Sequence, residues 1–472
     1  MKVDRQGNDS SHPAGSVSPD PNEELPSVTT VERLQPPPTA VRPKVVARTG
    51  LYALLAVNVG VVAVFFLQSP RDSNALILIG RLAGLYGALL MAFQLLLVAR
   101  LPWLDRRIGM DRLTSLHRWV GFSLLWTLVG HGVFITFGYA ESSSMGPVDQ
   151  LVNLAETVEG VLRSITALVL IMVIGAVSAR YARRRLAYET WHFIHLYTYV
   201  AVVLAFTHQI GVGTTFTTSS TATAYWWGMW GTALGAVFLG RVVLPLWRNL
   251  RHQLRVSAVV PESDNVVSIY MTGRDLDQLP ARAGQFFLWR FLTRDRWWQA
   301  NPFSLSAAPD GRTLRLTAKT AGEGTAALRH IKVGTRVFAE GPYGAFTTMH
   351  RTRPDALLIA GGVGITPMRA LLEELQGHVV LIYRVARDQD AVLYEELRDL
   401  AHAKGAMLHL ISGPVVPDRL APPELVKLVP DITERDVYVC GPPGMTGAVL
   451  RTLRELGVPK PQIHSERFSL AG

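Results

Sequence analysis

The chain has 472 residues, of which 47 are Lys or Arg and 37 are Asp or Glu, for a formal net charge of +10. This length allows about three domains. Its single cysteine excludes a disulfide framework within the chain, a zinc site built from several cysteines, a four-cysteine iron–sulfur cluster and CxxCH haem attachment. Residues 45–252 hold 16 Arg, no Lys and 8 acidic residues, and they are also the most apolar stretch. The excess charge is therefore predicted to flank membrane spans, and we expect no nucleic-acid partner.

Residues 1–44 are predicted to be a disordered N-terminal segment. They are rich in Pro, Ser, Thr and charged residues and have almost no aromatic or aliphatic runs. No apolar stretch follows a basic start near Met1, so we expect no cleaved signal peptide.

Residues 45–250 contain six apolar stretches long enough to cross a bilayer, which takes about 20 residues each. They lie near residues 47–67, 76–98, 114–137, 161–179, 189–210 and 224–246. The segments that would lie on one side are rich in Arg, including the run at 180–185, whereas the opposite loops are mainly acidic or uncharged. The positive-inside rule then predicts a multi-pass protein of the cell membrane, embedded in lipid, with both termini in the cytoplasm.

The pattern beyond residue 250 is that of a soluble protein. Residues 251–350 contain short β-rich runs between Gly and Pro turns, which predicts a small antiparallel β-barrel. Residues 351–472 alternate strands with helices, which predicts an α/β domain with a parallel sheet that binds a nucleotide.

Histidines inside the third and fifth spans are the strongest functional signal. His117 and His131 on the third span are 14 residues apart, which is about 21 Å along a helix and within about 40° of one face. His195 and His208 lie on the fifth span. Imidazole is costly in hydrocarbon without a partner. We therefore predict two b-type haems stacked across the bilayer, the inner bound by His117 and His195 and the outer by His131 and His208.

The fifth span fits this assignment less well, because 13 residues place His195 and His208 about 140° apart on a regular helix. His192 is an alternative inner ligand, although a contact to a haem propionate or another polar group is favoured for it. The alternative to metal binding is that the histidines bond to backbone carbonyls or line a polar cavity. Arg81 and Arg163, near the outer surface, either pair with propionates or a negatively charged acceptor, or extend to the interface.

A candidate flavin site follows the predicted β-barrel strands. The hydroxyl of Ser304 and the backbone amides of its turn can hydrogen-bond the polar edge of an isoalloxazine ring, and the motif comprises Asn301, Pro302, Phe303 and Ser304. Downstream, Gly322, Gly324 and Thr325 lie at a predicted helix start, where a pyrophosphate is stabilised. The alternative is an ordinary glycine turn with a Thr cap.

A second glycine-rich motif directly follows an apolar strand and opens a helix, as in dinucleotide-binding folds. It comprises Gly361, Gly362, Gly364, Thr366 and Pro367. A later strand ends in Cys440, Gly441 and Pro442, on the edge where such sheets bind ligands; Cys440 either touches a nicotinamide or is a buried small residue. Arg384 and Arg387 follow the second strand and can grip a 2′-phosphate, which favours NADPH over NADH.

This order of segments resembles the ferric reductase/NADPH oxidase family over residues 45–472. The resemblance implies a six-helix di-haem membrane domain followed by a ferredoxin-reductase-type FAD and NAD(P) module. It assigns the haem ligands to His117, His131, His195 and His208, and the flavin motif to Asn301–Ser304. It also implies that Phe468 is the aromatic residue that covers the flavin, with Ser304 and Cys440 beside the reacting rings.

The chain departs from the family pattern at two positions. Asn301 is neutral where the flavin motif usually opens with His or Arg. Ile135 stands where oxidases that make superoxide carry an extra histidine, whereas Arg81 resembles the arginine that the family places beside its oxygen site.

These features predict a transmembrane oxidoreductase that passes electrons from cytosolic NADPH through FAD and two b haems to an outer acceptor, a ferric chelate or another metal. The alternatives are a superoxide-generating oxidase, a quinone-linked reductase, or a non-enzymatic haem sensor or electron-carrier subunit. Two haems are needed because one cannot carry charge across about 30 Å of hydrocarbon.

Overall fold

The computed structural model describes residues 43–179, 182, 185–186, 188–213, 215, 219–320, 323–413 and 419–467. The predicted disordered segment up to residue 42, the arginines 180, 183 and 184, and the candidate residues Gly322 and Phe468 lie outside these residues. Residues 41–472 form one compact unit.

Six helical segments of the described residues are long and apolar enough to span a membrane, which confirms the predicted six-helix bundle. Asn74 starts the second span, because its side-chain oxygen accepts a hydrogen bond from the Leu76 amide at 2.8 Å. The membrane domain consists of α1 (Pro43–Gln68), α2 (Ala75–Leu97), α3 (Pro102–Ile108), α4 (Met110–Ser143), α5 (Pro147–Thr157), α6 (Val161–Ser178), α7 (Tyr188–Leu196), α8 (Thr198–Val212), α9 (Ser220–Phe238), a π-helical turn (Leu239–Val243) and α10 (Leu244–His252).

Glycines let α2 and α4 pack closely. A Cβ atom at Gly80 would lie 2.8 Å from the Ile135 side chain, and one at Gly87 would lie 2.6 Å from Leu128. Small residues at helix contacts are typical of membrane bundles, since close backbone approach maximises packing there. The α2–α4 pair therefore forms a tight support for the histidines of α4.

The fifth span is not one regular helix. Helix α7 ends at Leu196 and α8 begins at Thr198; Tyr197 between them keeps right-handed helical dihedrals (φ −63°, ψ −10°) in a tightened turn. This turn lies between His195 and His208, so the angle of about 140° calculated for a regular helix is only approximate for this span.

The β-barrel domain contains two three-stranded antiparallel sheets, ordered β1-β2-β5 and β4-β3-β6. Isolated bridges between Arg255 and Arg336 and between Leu305 and Leu316 join the sheets around one apolar core. This confirms the predicted antiparallel β-rich domain. The strands are β1 (Arg255–Ser263), β2 (Val266–Thr272), β3 (Phe286–Phe291), β4 (Asn301–Ser304), β5 (Thr313–Lys319) and β6 (Val337–Tyr343), and the short helix α11 (Glu323–Ala326) follows β5.

The parallel-sheet domain has five strands in the order β11-β10-β7-β8-β9, all parallel, as predicted. Apolar cores cover both faces of the sheet. Its elements are β7 (Ala356–Gly361), α12 (Ile365–Glu374), β8 (Val379–Arg384), α13 (Tyr394–Lys404), β9 (Met407–Ile411), α14 (Pro422–Leu428), β10 (Asp436–Gly441), α15 (Pro443–Glu455) and β11 (Ile463–Arg467).

A buried ion-pair network ties the two soluble domains together. Arg315 on β5 is 5% exposed and donates to Glu396 of α13 at 2.9 Å. Arg369 of α12 donates to the same carboxylate at 2.7 Å. Because breaking such a buried network is costly, the sheet edge keeps a fixed position relative to the barrel.

Candidate functional site

The intramembrane histidines meet in two pairs at two depths. The His117 and His195 ring centroids are 6.2 Å apart with the ring planes at 68°. Those of His131 and His208 are 6.4 Å apart at 62°. The structure therefore brings together the two pairs assigned from the sequence, whereas their role as haem ligands stays a prediction.

The spacing within each pair suits a metal ion between the rings. With a metal–nitrogen bond of about 2 Å, two imidazoles on opposite sides of one metal ion have centroids roughly 6 Å apart. The Nδ1 atoms of His117 and His208 are buried and have no hydrogen-bond partner among the described residues. In the same part of the chain, no three His, Cys, Asp or Glu side chains cluster as ligands for a free metal ion. Two imidazoles alone suit a metal whose other ligands come from a macrocycle, so the residues fit a haem.

Backbone groups orient the outer pair. Nδ1 of His131 lies 2.8 Å from the Gly80 carbonyl oxygen, which leaves Nε2 available to a metal. The ring lies against Gly84, where a Cβ atom would approach Nδ1 to 2.7 Å. His208 lies beside Gly160, which has a positive φ of 85°. The positions of the His131 and His208 rings thus depend on glycines that have no side chain.

Side chains orient the inner pair. The Trp191 ring stacks on His195 with centroids 4.9 Å apart and planes at 25°. Its Nε1 donates to Ser178 Oγ at 3.2 Å, and Ser178 Oγ lies 3.4 Å from His195 Nδ1. His192 lies on the other side of Trp191, with centroids 6.4 Å apart. Sequence reasoning missed Ser178, which lies 17 residues before His195 on another helix.

The two outer arginines differ in their surroundings. Arg81 follows Gly80 on α2 and donates to the Pro70 carbonyl at 2.9 Å, with Thr215 Oγ1 at 3.5 Å. It therefore lies on the element that holds His131. Arg163 is half exposed and pairs with Glu159 at 3.4 Å, as expected for a side chain that extends to the interface.

The candidate flavin residues lie on β4 and in α11. Ser304 is 3% exposed, and its hydroxyl is buried without a hydrogen-bond partner among the described residues. An orphaned buried hydroxyl is costly, so the site suits a polar ring edge. Asn301 makes only long contacts, 3.4 Å to the Gln299 carbonyl and 3.5 Å to that of Trp289. It lines a cleft next to the 3₁₀ turn (Ala327–His330) that follows Gly324 and Thr325 of α11.

The two nucleotide motifs meet at the carboxyl edge of the parallel sheet. A Cβ atom at Gly441 would lie 3.1 Å from the Gly361 backbone, and one at Gly364 would lie 2.3 Å from the Cys440 carbonyl oxygen. Gly362 has φ +51° and open space around its Cβ position. Thr366 and Pro367 are buried at the start of α12. These glycines form a glycine edge, at which the phosphates of a dinucleotide can lie close to the backbone.

Cys440 is fully buried at the end of β10. Burial, reinforced by the nearby Glu466 carboxylate, raises the pKa of its thiol well above the ordinary value. Glu466 pairs with Cys440 across β10 and β11, and its Oε1 would lie 3.5 Å from a Cβ atom at Gly344. Sequence reasoning did not select Glu466, although its place two residues before Phe468 was a usable signal.

The arginines predicted to hold a 2′-phosphate are both engaged. Arg384 donates to backbone carbonyls, including that of Gly413 at 2.7 Å. Arg387 is exposed and pairs with Asp390 at 3.0 Å, and this contact raises the pKa of its guanidinium. Of the two arginines, Arg387 is therefore the one that can exchange its partner, Asp390, for a 2′-phosphate.

The β-barrel domain is bonded to the inner end of the membrane domain. Arg100, between α2 and α3, pairs with Glu340 of β6 at 2.9 Å, and Arg290 binds the same carboxylate. Asp105 of α3 is 1% exposed and accepts a hydrogen bond from the Gly344 amide at 2.7 Å.

Helix α10 makes a second set of bonds to the same strand. Asn249 accepts from the Ala339 amide at 2.8 Å and donates to its carbonyl at 2.9 Å. Arg248 donates to the Gly341 carbonyl. Nε2 of His350 lies 3.1 Å from the carbonyl oxygen of Arg106 on α3. Three membrane-domain elements thus hold one edge of the barrel.

Two family matches cover separate parts of the chain. Residues 83–206, which include three of the four paired histidines but not His208, match the family described as ferric reductase like transmembrane component. Residues 358–451, which include Gly361 and Cys440, match the oxidoreductase NAD-binding domain.

Relatives of known name match the soluble half. The ferredoxin reductase component of 3-ketosteroid-9-alpha-monooxygenase from Mycobacterium tuberculosis is 32% identical, over 46% of this chain and 65% of its own length. The flavohemoprotein of Vibrio cholerae is 33% identical, over 35% of this chain and 45% of its own length. The solved FAD/NAD-binding domain of nitric oxide dioxygenase from Vibrio cholerae is 27% identical over 46% of this chain and 99% of its own, with a TM-score of 0.39. The chain spans less than two thirds of the length of the first two of these relatives.

Proposed function

We propose that this chain, which joins a ferric-reductase-like transmembrane component to a ferredoxin-reductase-type NAD-binding module, carries electrons from cytosolic NADPH through FAD and two b haems to an outer acceptor. The observation that carries the proposal is the pair of facing imidazoles at each of two depths, 6.2 and 6.4 Å between ring centroids. The proposed location is the cell membrane, with both termini in the cytoplasm.

The depth of the two pairs supports transfer across the bilayer. The 14 residues between His117 and His131 on continuous α4 correspond to about 21 Å of helix rise. The hydrocarbon core is about 30 Å thick. Two centres at this separation leave only short gaps to either surface, whereas one centre does not.

Residues of the soluble half are placed to bind the two cofactors between which the hydride is transferred. FAD, when bound, accepts a hydride from the nicotinamide and passes electrons on singly. Ser304 supplies a hydroxyl for the flavin edge, and the glycine edge at Gly361 and Gly441 admits the dinucleotide beside Cys440. The Cys440 thiol lies fully buried beneath this edge and stays neutral, since burial raises its pKa. Arg387 offers a cation to the 2′-phosphate of NADPH.

The contact between the β-barrel domain and the membrane domain supports direct electron transfer from the flavin to the inner histidine pair. Ser304 of β4 pairs with Phe286 of β3, which pairs with Tyr343 of β6. The Tyr343 ring lies 5.8 Å from the Arg100 guanidinium of the membrane domain. The candidate flavin site is therefore only a few side chains from the inner end of the helix bundle.

Ferric chelates are the acceptor class that we favour. Ile135 packs against Gly80 beside the outer pair, so an aliphatic side chain fills the position where superoxide-forming relatives carry a histidine. Arg81 offers a positive charge on the same side, which suits an anionic chelate.

The test encloses NADPH in right-side-out vesicles and supplies an impermeant ferric chelate outside. We expect ferrous product outside together with a reduced b-type haem spectrum. His131→Ala and His208→Ala should abolish chelate reduction, whereas the matched control His402→Ala, an exposed residue of α13, should leave it unchanged.

Other outcomes identify the alternatives. Dye reduction that superoxide dismutase suppresses would indicate a superoxide-forming oxidase. Haem reduction that turns over only after quinone is added would indicate a quinone-linked reductase. A protein without haem absorbance would contradict the proposal, and one with haem but without FAD would indicate a carrier or sensor.

A further inference from the structure

Two backbone irregularities meet at the inner end of the membrane domain. The last span changes to a π-helical turn over Leu239–Val243, which includes Arg241. Across from it, Arg100 has a positive φ of 56°, a conformation that is unfavourable for a long side chain. π-turns and strained residues occur preferentially at functional sites. Both irregularities therefore call for a functional explanation.

The π-turn lies directly against the end of α2. A Cβ atom at Gly240 would lie 2.0 Å from the Ala99 carbonyl oxygen, so this approach requires glycine. Arg241 Nε donates to the Val98 carbonyl at 2.8 Å. The contact brings the guanidinium groups of Arg241 and Arg100 to the same end of the bundle.

The cations at this point outnumber their carboxylate partners. Arg100 pairs with Glu340, but Arg290 binds the same carboxylate. Arg241 is half-buried. The Glu340 carboxylate acts on it only from beyond ion-pair distance and is already paired with Arg100 and Arg290. The only hydrogen bond of Arg241 within the described part of the chain is the one from Nε, so both Nη groups lack a partner there.

The same end of α2 also contacts the inner pair. Gln94, one turn before Val98, donates its Nε2 to the His117 carbonyl at 2.9 Å, so Arg241 and His117 are bonded to adjacent turns of one helix. A half-buried guanidinium is stable when an anion supplies its missing hydrogen bonds, and a carboxylate matches its two Nη groups in a bidentate pair.

We propose that Arg241, with Arg100 beside it, binds a propionate group of the inner haem. The inference rests on the proposed function and adds an anchor for the inner centre that the histidine pattern does not contain. A positive charge at this position stabilises the reduced form of the inner haem and so raises its midpoint potential. Arg241 thus both retains the inner haem and makes it a better acceptor for electrons from the flavin.

The test is a redox titration of the purified, full-length holoprotein, followed by its haem absorbance. His131→Ala, which removes an outer ligand, identifies the inner step of the titration. We expect Arg241→Gln to lower the midpoint potential of the inner step, or to remove it with half of the haem, while the outer step stays in place. Arg241→Lys, which keeps the charge, should retain the inner haem and most of its potential.

The control is Arg251→Gln, ten residues further along the same span and at the solvent side, which should change neither step. An unchanged inner potential in Arg241→Gln would overturn the inference. So would an equal loss in Arg241→Lys, because the contact would then be structural rather than electrostatic. Failure of the proposed function is distinct from both results, since the unmodified protein would then show no haem.

Discussion

At the scale of single residues, the position of His131 depends on the absence of a side chain at Gly84. The His131 ring occupies that space and bonds to the carbonyl oxygen one turn away, on Gly80. A ring held by backbone cannot be reoriented by changing a neighbouring side chain. His195 of the other pair is held instead by Trp191 and Ser178, which are open to substitution.

We predict that Gly84→Ala displaces the outer centre and spares the inner one. The new Cβ atom would lie 2.7 Å from His131 Nδ1, so the ring must move. Purified protein should lose about half of its haem absorbance, because one of two bis-histidine sites fails. The matched control is Gly235→Ala in α9, where no atom lies within 4 Å of the Cβ position. Full haem content in Gly84→Ala would contradict the prediction.

The thiol of Cys440 should resist alkylation in the native protein. Thiolate is the reactive form, and the raised pKa of this buried thiol means that less thiolate is present at any pH than for a free cysteine. Labelling by iodoacetamide should therefore begin at a higher pH than in the unfolded chain and run at least roughly tenfold slower at pH 8. Since the chain has one cysteine, mass spectrometry reads the result directly. Equal rates in native and unfolded protein would show that the site is open.

The depths of the two histidine pairs were predictable from spacing, because rise per residue fixes depth in a membrane helix, but rotation on the fifth span did not choose between His192 and His195. The groups that orient the rings were not predictable, since Ser178 and Gly80 reach their histidines from other helices. Glu466 was missed for a similar reason: its proximity to Cys440 follows from the register of β10 and β11.

At the scale of elements, the short helix α3 has the largest functional consequence. Its Asp105 accepts the Gly344 amide in the β-barrel domain, and it runs directly into α4, which carries His117. Gly344 in turn lies beside Phe286 and Glu466 at the candidate flavin and nicotinamide site. One short helix therefore links the candidate flavin and nicotinamide site to the helix that carries one histidine of each pair.

We predict that Asp105→Ala slows electron entry into the haems without impairing the flavin. Losing a buried hydrogen bond to a charged acceptor costs about 1.5–3 kcal/mol, so the docked population should fall by roughly tenfold or more if docking is marginal. Stopped-flow reduction of haem by NADPH should slow accordingly, while NADPH-driven reduction of ferricyanide by the flavin continues. Asp105→Asn keeps an acceptor oxygen and should restore haem reduction. A parallel loss of both activities would indicate misfolding instead.

The tightened turn at Tyr197 shows why the fifth span was the least predictable element. Its sequence is the least apolar of the six spans in the described residues, and no proline or glycine marks the turn between α7 and α8. Helix periodicity therefore placed His195 and His208 on different faces, whereas the structure pairs each with a histidine of α4.

At the scale of the whole molecule, composition determined most of the architecture. Six apolar stretches, a β-rich segment and an alternating segment appear in the structure in the predicted order. What the sequence could not supply was the contact between domains. The ion pairs of Arg315 and Arg100 join residues 81 and 240 positions apart, and no local pattern signals them.

Six spans among the described residues place residues 43 and 467 on the same side of the membrane, and the arginine distribution predicts that this side is the cytoplasm. Reporter fusions after residue 472 and before residue 1 should both be active only with a cytoplasmic reporter. A fusion inserted in the acidic loop near Asp149 should give the opposite result. A periplasmic or extracellular signal from the C-terminal fusion would reverse the direction of electron flow that we propose.

Helix α4 contributes one imidazole to each pair and runs unbroken between them. A single rigid helix thus sets the vertical distance between the two pairs. With the haems that we propose in place, bending or tilting of the bundle would move both together, and the rate of electron transfer between them would be insensitive to such motion.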